Sequence, residues 1–324
     1  MKAIIVANDA DHSLCWQEVP GPTCCPGEVL VDIHATAVNR ADLLQRAGNY
    51  PPPPGASPYM GLEMAGVVAA TGETVTQWQP GDRVLGLLSG GGYAERVAVP
   101  ATHLLPLPAE RDFIWGAAIC EVFLTAFVNL FREAGLRAGE TALIHGGGSG
   151  VGTAAVQLCH QADVKVIVTA GTDAKVACCL ALGAEFGVNY KERDFAEAIL
   201  AHTDGVDVIL DIAGADYLAR NVQLLKSEGR LVIIAVLTGA EAQIDLLELQ
   251  KKRLRLIGSV LRSRADEEKT AIIAAFQERF WPLLIDGRMR AVIEDVLPIE
   301  RAADAQDILR QNRNIGKVVL QVRN

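Results

Sequence analysis

The segment from Thr141 to Gly152, T-A-L-I-H-G-G-G-S-G-V-G, is a short apolar run that breaks into glycines and resumes as Thr153-Ala154-Ala155-Val156-Gln157-Leu158, apolar at helical spacing. A strand, a tight glycine turn and a helix in that order make the phosphate-binding corner of a dinucleotide unit. The glycines let the backbone turn sharply and approach a pyrophosphate, while the helix N-terminus offers free N–H groups and the positive end of its dipole. A glycine loop alone is also compatible with a plain turn, so its surroundings decide between the two.

Those surroundings repeat the unit. After about Glu121, strands are expected at residues 141–145, 165–169, 185–189, 207–211, 229–235 and 254–258, with helices such as 173–182 and 194–202 between them. Six strands with intervening helices predict a parallel, doubly wound sheet. Residues up to about Pro108 are instead rich in Gly and Pro, with short alternating runs such as 28–34 and 64–69, the texture of a β-rich, barrel-like unit. Within it, Tyr50-Pro51-Pro52-Pro53-Pro54-Gly55-Ala56-Ser57-Pro58 can be neither helix nor central strand, because each proline removes an N–H donor. A stiff surface loop is expected. Beyond Ser259, a helix at 267–284 precedes a strand, a helix and a strand at 291–298, 299–311 and 317–322. This reads as the chain returning to complete its first unit, with a ligand cleft expected between the units.

A chain of 324 residues, half of them apolar, suits two domains better than one. Its net charge of −9 comes without a long run of like charge, which argues against a nucleic-acid or anionic-membrane partner. The first residues lack the pattern of a secretory leader, and no run reaches the roughly 18 uninterrupted apolar residues of a membrane span. A cytoplasmic protein is expected. Seven cysteines, with two vicinal pairs and no C-x-x-C, fit neither a disulfide framework nor a zinc ribbon.

Five motifs stand out: A-V-N-R-A-D-L-L-Q-R-A-G at 37–48, Y-P-P-P-P-G-A-S at 50–57, L-T-A-F at 124–127, G-G-S-G-V-G at 147–152 and N-I-G-K-V-V-L at 314–320. With the layout above, they resemble the medium-chain dehydrogenase/reductase superfamily, in its zinc-independent quinone oxidoreductase branch related to zeta-crystallin. The similarity runs end to end. It implies an α/β protein in which a Rossmann doubly wound parallel sheet, residues 123–260, is inserted in a chaperonin-10-like β-rich catalytic domain formed by residues 1–122 and 261–324. In the zinc alcohol dehydrogenases of that superfamily a G-H-E element supplies a histidine ligand. Here the matching residues are Gly61-Leu62-Glu63, and Asn39 stands where a cysteine ligand is usual. Leucine cannot bind zinc, so no metal is expected. Without a Lewis acid to form an alkoxide, the expected acceptor is already electrophilic, a quinone or a conjugated enone, with a nicotinamide supplying the hydride.

A NAD-binding unit usually carries Asp or Glu at the tip of its second strand, bonded to the ribose diol. Here Val166–Thr169 runs into Ala170-Gly171-Thr172 with no acid, and Asp173 is better placed as a helix cap or first-turn residue, so NADPH is expected. The resemblance assigns Lys175 and Tyr190 to the 2′-phosphate, with Gly171 and Thr172 lining its pocket. It assigns Gly147, Ser149, Gly150, Val151 and Gly152 to the pyrophosphate, Ala235 and Leu237 to the nicotinamide ribose, and Leu261, Arg262 and Asn314 to the closing side. It puts Tyr50, Asn39 and Thr125 at the reacting end, where a phenol or amide can donate to a developing oxyanion. On the residues alone, Lys175 also suits a solvated helix face, Ala235 and Leu237 a sheet core, Tyr50 a surface plug and Asn39 a helix cap. His145, which opens the glycine loop, is expected to position backbone. Alkenal and enoyl reductases share this scaffold, as does a non-catalytic, crystallin-like role. Relatives are commonly homodimers through edge-strand pairing, which would place 229–235 or 260–264 near an interface.

Overall fold

A computed structural model describes residues 1–323. Two compact units emerge: Met1–Leu124 together with the chain from Arg262 onward, and Thr125–Leu261.

The first unit opens with β1 (Lys2–Val6), β2 (Leu14–Glu18), β3 (Glu28–Ala37), helix α1 (Arg40–Arg46), β4 (Glu63–Thr71), β5 (Arg83–Leu87), β6 (Arg96–Pro100) and β7 (Leu104–Pro106), followed by helices α2 (Phe113–Ala117) and α3 (Cys120–Phe127), whose last three residues belong to the second unit. Strand β3 organises this unit. Along it Val29, Val31 and Ile33 are fully buried and alternate with partly exposed residues, the period of a strand covered on one face. At Ala35-Thr36-Ala37 the alternation stops and all three are buried. The reason is a change of neighbour: the first half of β3 pairs with β6, and its last three residues pair with a strand from the far end of the chain.

The second unit holds β8 (Thr141–His145), α4 (Gly150–Gln161), β9 (Lys165–Ala170), α5 (Asp173–Ala181), β10 (Phe186–Asn189), α6 (Phe195–His202), β11 (Val206–Asp211), α7 (Ala215–Leu224), β12 (Leu225–Ile233), α8 (Leu246–Lys252) and β13 (Arg255–Gly258). The six strands are all parallel, in the order β10-β9-β8-β11-β12-β13. Every residue of β8 is buried, as a strand covered on both faces requires. The order reverses between β8 and β11, so the crevice beyond their carboxyl ends is the switch point where open α/β sheets take their ligands. The glycine loop leaves β8 at that place. The strand expected at 229–235 begins four residues earlier, at Leu225, and ends at Ile233.

The chain then re-enters the first unit as α9 (Asp266–Arg279), α10 (Trp281–Ile285), β14 (Ile293–Pro298), α11 (Ala302–Arg310) and β15 (Lys317–Gln321). Strand β15 pairs antiparallel with β3, Val319 opposite Ala37, and carries β14 beside it. The resulting seven-stranded sheet runs β14-β15-β3-β4-β5-β7, with β6 on β3. Its core joins both ends of the chain, Ile4, Val38, Met60 and Tyr93 packing with Leu297, Ile299, Val318 and Leu320. The single helix expected at 267–284 is two helices, because Pro282 has no N–H to continue α9 and instead sits in the first turn of α10.

Phe113–Glu133 is apolar enough by length and composition to cross a membrane, with a mean hydropathy of 1.8, yet 72% of that apolar window is buried inside the protein. It is broken into α2, α3 and a π-helical turn at Val128–Glu133. Its apolarity serves the core.

Candidate active site

At the switch point of the second unit, Ser149 caps α4, its Oγ accepting the Gly152 N–H at 3.0 Å. Position 152 requires glycine, since a Cβ there would stand 2.3 Å from the Gly146 carbonyl oxygen. The first-turn amides of α4 have no acceptor inside the helix, and with the positive end of the dipole they form a concavity suited to an anion.

The tips of β9 and β10 supply the next wall. Thr172 caps α5 by accepting the Lys175 N–H at 3.3 Å. Asp173 lies in the first turn, its Oδ1 accepting from Asn189 Nδ2 at 3.0 Å, so it is tied back to β10. Lys175 is buried, and its stem lies along the loop: a Cβ on Gly148 would stand 2.9 Å from Lys175 Cβ, Cγ and Cδ. A Cβ on Gly171 would stand 2.8 Å from Tyr190 Oη and 3.5 Å from Lys191 Cε. Lys191, next in the chain to Tyr190, thus lies at the same wall.

Behind the loop lies a buried polar chain. His145 Nδ1 is 2.9 Å from Thr169 Oγ1, and Nε2 is 2.8 Å from Asn221 Oδ1. Asn221 Nδ2 donates to Asp211 Oδ2 at 3.3 Å, and Asp211 Oδ1 accepts the Ala213 N–H at 2.7 Å. The Asn221 amide nitrogen faces a carboxylate, so its oxygen faces the imidazole. Nε2 therefore carries the proton, and Nδ1 accepts from the Thr169 hydroxyl. Burial first of all pushes the imidazole down to about 4, so it is neutral. Its ring stacks on Tyr217 with centroids 4.9 Å apart. The chain ties together the carboxyl ends of β8, β9 and β11, which hold the glycine loop.

In the first unit, Tyr50 is half-buried at the head of the proline loop, with the Arg262 guanidinium 5.1 Å from its ring centroid. Burial, and then the Glu121 carboxylate, raise the phenol above its ordinary range, while Arg262 pulls the other way. Arg262 is itself 5% exposed and bonds through every guanidinium nitrogen: to Ser89 O at 2.8 Å, Tyr50 O at 3.2 Å and Gln45 Oε1 at 2.7 Å. These three partners all lie in the first unit.

Asn39 precedes α1, its backbone N–H donating to Asp42 Oδ2 at 2.8 Å. Asp42, fully buried, also accepts from the Gly61 N–H at 3.0 Å and the Tyr93 hydroxyl at 3.2 Å, and burial pushes its carboxyl up to about 6. The Asn39 amide donates to Glu63 Oε1 at 3.0 Å and Ala37 O at 3.3 Å, and its Oδ1 accepts from Lys317 Nζ at 2.6 Å. Lys317 also stands 2.7 Å from Glu63 Oε1 and 3.0 Å from Val38 O, and Glu63 Oε2 accepts the Glu121 N–H at 2.9 Å. Both amide hydrogens of Asn39 are thus spent inside a closed cluster. Asn39 thereby bridges a buried acid–lysine pair.

The remaining expected residues fall in both units. Thr125 and Leu261 are buried residues at the two ends of the second unit, the Thr125 carbonyl accepting from Asn129 Nδ2 at 2.7 Å. Asn314 spends its amide on Gly316 O at 2.7 Å in the turn before β15. Ala235, half-buried, and Leu237, 51% exposed, follow the end of β12, so neither is sheet core. Among the described residues no three His, Cys, Asp or Glu side chains gather as a metal ligand set.

Residues 25–109 match the alcohol dehydrogenase GroES-like domain, and residues 150–277 match the zinc-binding dehydrogenase family. Such a pairing, one domain completed by the end of the chain and the other carrying the glycine loop, defines the medium-chain dehydrogenase/reductase superfamily of oxidoreductases, to which this chain belongs. It is 34% identical over 298 residues to the quinone oxidoreductase of Sus scrofa, covering 90% of this chain and 88% of that protein. The quinone oxidoreductase of Thermus thermophilus, solved also in complex with NADPH, superposes with a TM-score of 0.84 at 32% identity, covering 99% of this chain and 100% of that one. CurK enoyl reductase superposes with a TM-score of 0.86 at 27% identity, covering 99% and 98%.

Proposed function

We propose that the protein is a cytoplasmic, metal-free NADPH:quinone oxidoreductase. The observation that carries the reading is the Asn39–Glu63–Lys317 cluster. Leu62 stands where the superfamily's zinc enzymes have a histidine ligand, and the acid beside it is neutralised by the Lys317 ammonium, whose positive charge disfavours a second cation nearby. The names of the similar proteins support a quinone acceptor, and a hydride from bound NADPH would be the chemistry supplied.

This chain's residues then bind, orient and stabilise. Backbone amides at Gly147–Gly152 would hold the pyrophosphate, with Ser149 shaping the turn. Lys175, along the glycine loop at Gly148, and Tyr190, beside Gly171 just past β9, would take the 2′-phosphate, a point charge and a hydroxyl donor for one dianion. Tyr50 would donate to the acceptor oxygen on which charge develops; with Asn39 committed elsewhere, it is the phenol that this role falls to. The last proton can come from water.

Free cysteines at exposed Cys15 and Cys25 support a reducing compartment. A homodimer is supported by β13, which pairs among the described residues only with β12 and leaves Leu256 and, just beyond it, Val260 exposed. Reduction of an activated carbon–carbon double bond is the second reading, favoured by the likeness to CurK enoyl reductase.

One substrate panel tests these readings: 1,2- and 1,4-naphthoquinone against a 2-alkenal, with NADPH and NADH in parallel, on chelator-washed protein. The expected result is quinone turnover with NADPH, undiminished by the wash. Preference for the alkenal would establish the second reading, and loss of activity reversed by zinc would refute the metal-free one.

A further inference from the structure

The loop at 50–58 poses a physical problem that the sequence makes plain. Pro51 to Pro54 are four consecutive residues without an N–H, so this stretch donates no backbone hydrogen bond; its Pro53 carbonyl accepts the Ala56 N–H at 3.1 Å within the loop, and the flanking carbonyls of Tyr50 and Pro58 take donors from side chains. Two side chains supply them, one at each end. Arg262 donates to Tyr50 O at 3.2 Å, and Gln45 Nε2 donates to Pro58 O at 3.0 Å. The two are themselves joined, because Arg262 donates to Gln45 Oε1 at 2.7 Å and so fixes which way the amide points. The third guanidinium bond, to Ser89 O, anchors the assembly just before Gly90, where a Cβ would stand 2.4 Å from Ser57 O. The loop is thus seated against a glycine segment that lets it come close.

We propose that Arg262, acting with Gln45, is a positioning residue that clamps both ends of the proline loop and so sets the Tyr50 phenol for the acceptor, rather than a residue that reads the cofactor. The inference rests on the proposed role of Tyr50. An arginine is needed because its planar fork presents donors in three directions while its face lies over the Tyr50 ring. Lysine has the charge without the fork. Burial at 5% exposure leaves the guanidinium little freedom to turn to another partner.

The experiment is a double-mutant cycle of Arg262→Lys and Tyr50→Phe, read by naphthoquinone kinetics, by NADPH affinity from fluorescence titration, and by the NMR signal of ¹³Cζ-tyrosine at Tyr50, assigned by its loss in Tyr50→Phe. Arg262→Lys is expected to lower quinone kcat/KM at least tenfold, with NADPH affinity within a factor of two and the Tyr50 signal shifted or broadened. The double variant should be no more than twofold worse than the weaker single variant, because both changes disable one phenol. Gln45→Ala, which removes the donor to Pro58 O and one Arg262 partner while leaving the Arg262 bond to Tyr50 O, should perturb the same signal and lower kcat/KM less. Losses that multiply in the double variant, or a tenfold loss of NADPH affinity with an unmoved Tyr50 signal, would overturn the clamp. Unchanged kinetics in Tyr50→Phe would instead overturn the acceptor role of the phenol and with it the catalytic purpose of the clamp, while the NMR signal would still show whether Arg262 holds the loop.

Discussion

Lys317→Met is the most direct test of how the first unit is closed. Lys317 lies on β15, the strand that joins the end of the chain to β3, and its ammonium makes three contacts, with Glu63 Oε1, Asn39 Oδ1 and Val38 O, at 3% exposure. Methionine keeps the length and apolar volume of the stem, so the change deletes the charge and its contacts. Glu63 would retain only the Asn39 amide and the Glu121 N–H, both neutral donors, with no cation beside a carboxylate of 0% exposure. Removing one partner of such a buried pair typically costs about 3–5 kcal/mol, which for a unit of this size is roughly 10 °C in unfolding midpoint. The assay is selective, because Trp16, Trp78, Trp115 and Trp281 all belong to the first unit. Tryptophan fluorescence in a urea titration therefore follows that unit, and circular dichroism follows both. Adding Glu63→Gln removes the stranded charge and is expected to recover at least about 2 kcal/mol, since replacing both members of a buried pair is often nearly neutral. A loss below about 1 kcal/mol in Lys317→Met, or no recovery in the double variant, would refute the argument that this pair locks β15 in place.

Other expectations follow from the second unit and the loop. His145, neutral in the fold with its pKa near 4 against 6.5 when unfolded, makes the unfolded chain bind more protons between those values. Its contribution is thus full above about pH 6.5 and falls as pH drops toward 4, by about 3 kcal/mol in all; hydrogen exchange of β8 and β11 amides across that window should show the slope, and His145→Gln should flatten it. Lys175→Met keeps the stem against Gly148 while deleting the charge, and should weaken NADPH tenfold to a hundredfold, about 1.5–3 kcal/mol, with NADH nearly unaffected; equal losses for both cofactors in isothermal titration would mean that the amine does not meet the 2′-phosphate. Tyr50→Phe should lower quinone kcat/KM by an amount worth up to about 3–4 kcal/mol while NADPH affinity stays within twofold, and unchanged steady-state kinetics would leave the phenol a structural plug.

The sequence by itself determined much of what rests on neighbours along the chain. The glycine run after Thr141–His145, the strand and helix periods that follow it, and the four prolines after Tyr50 act locally, so the Rossmann order and the stiff loop could be read before any coordinates. The return of 317–322 to the first unit was also legible, because an apolar strand left over after a finished parallel sheet must find another edge. Tertiary structure alone decided where the buried charges go. Lys317 and Asn39 meet across 278 positions of sequence, and nothing in the local pattern of N-I-G-K-V-V-L marks its lysine as buried. For the same reason the contacts of Asn39 with Glu63 and Ala37, and of Arg262 with Tyr50, Gln45 and Ser89, could not be read from the sequence. Periodicity records which face of an element is covered, whereas the partner of a buried polar group depends on which distant segment covers it, and that is set only when β15 closes on β3.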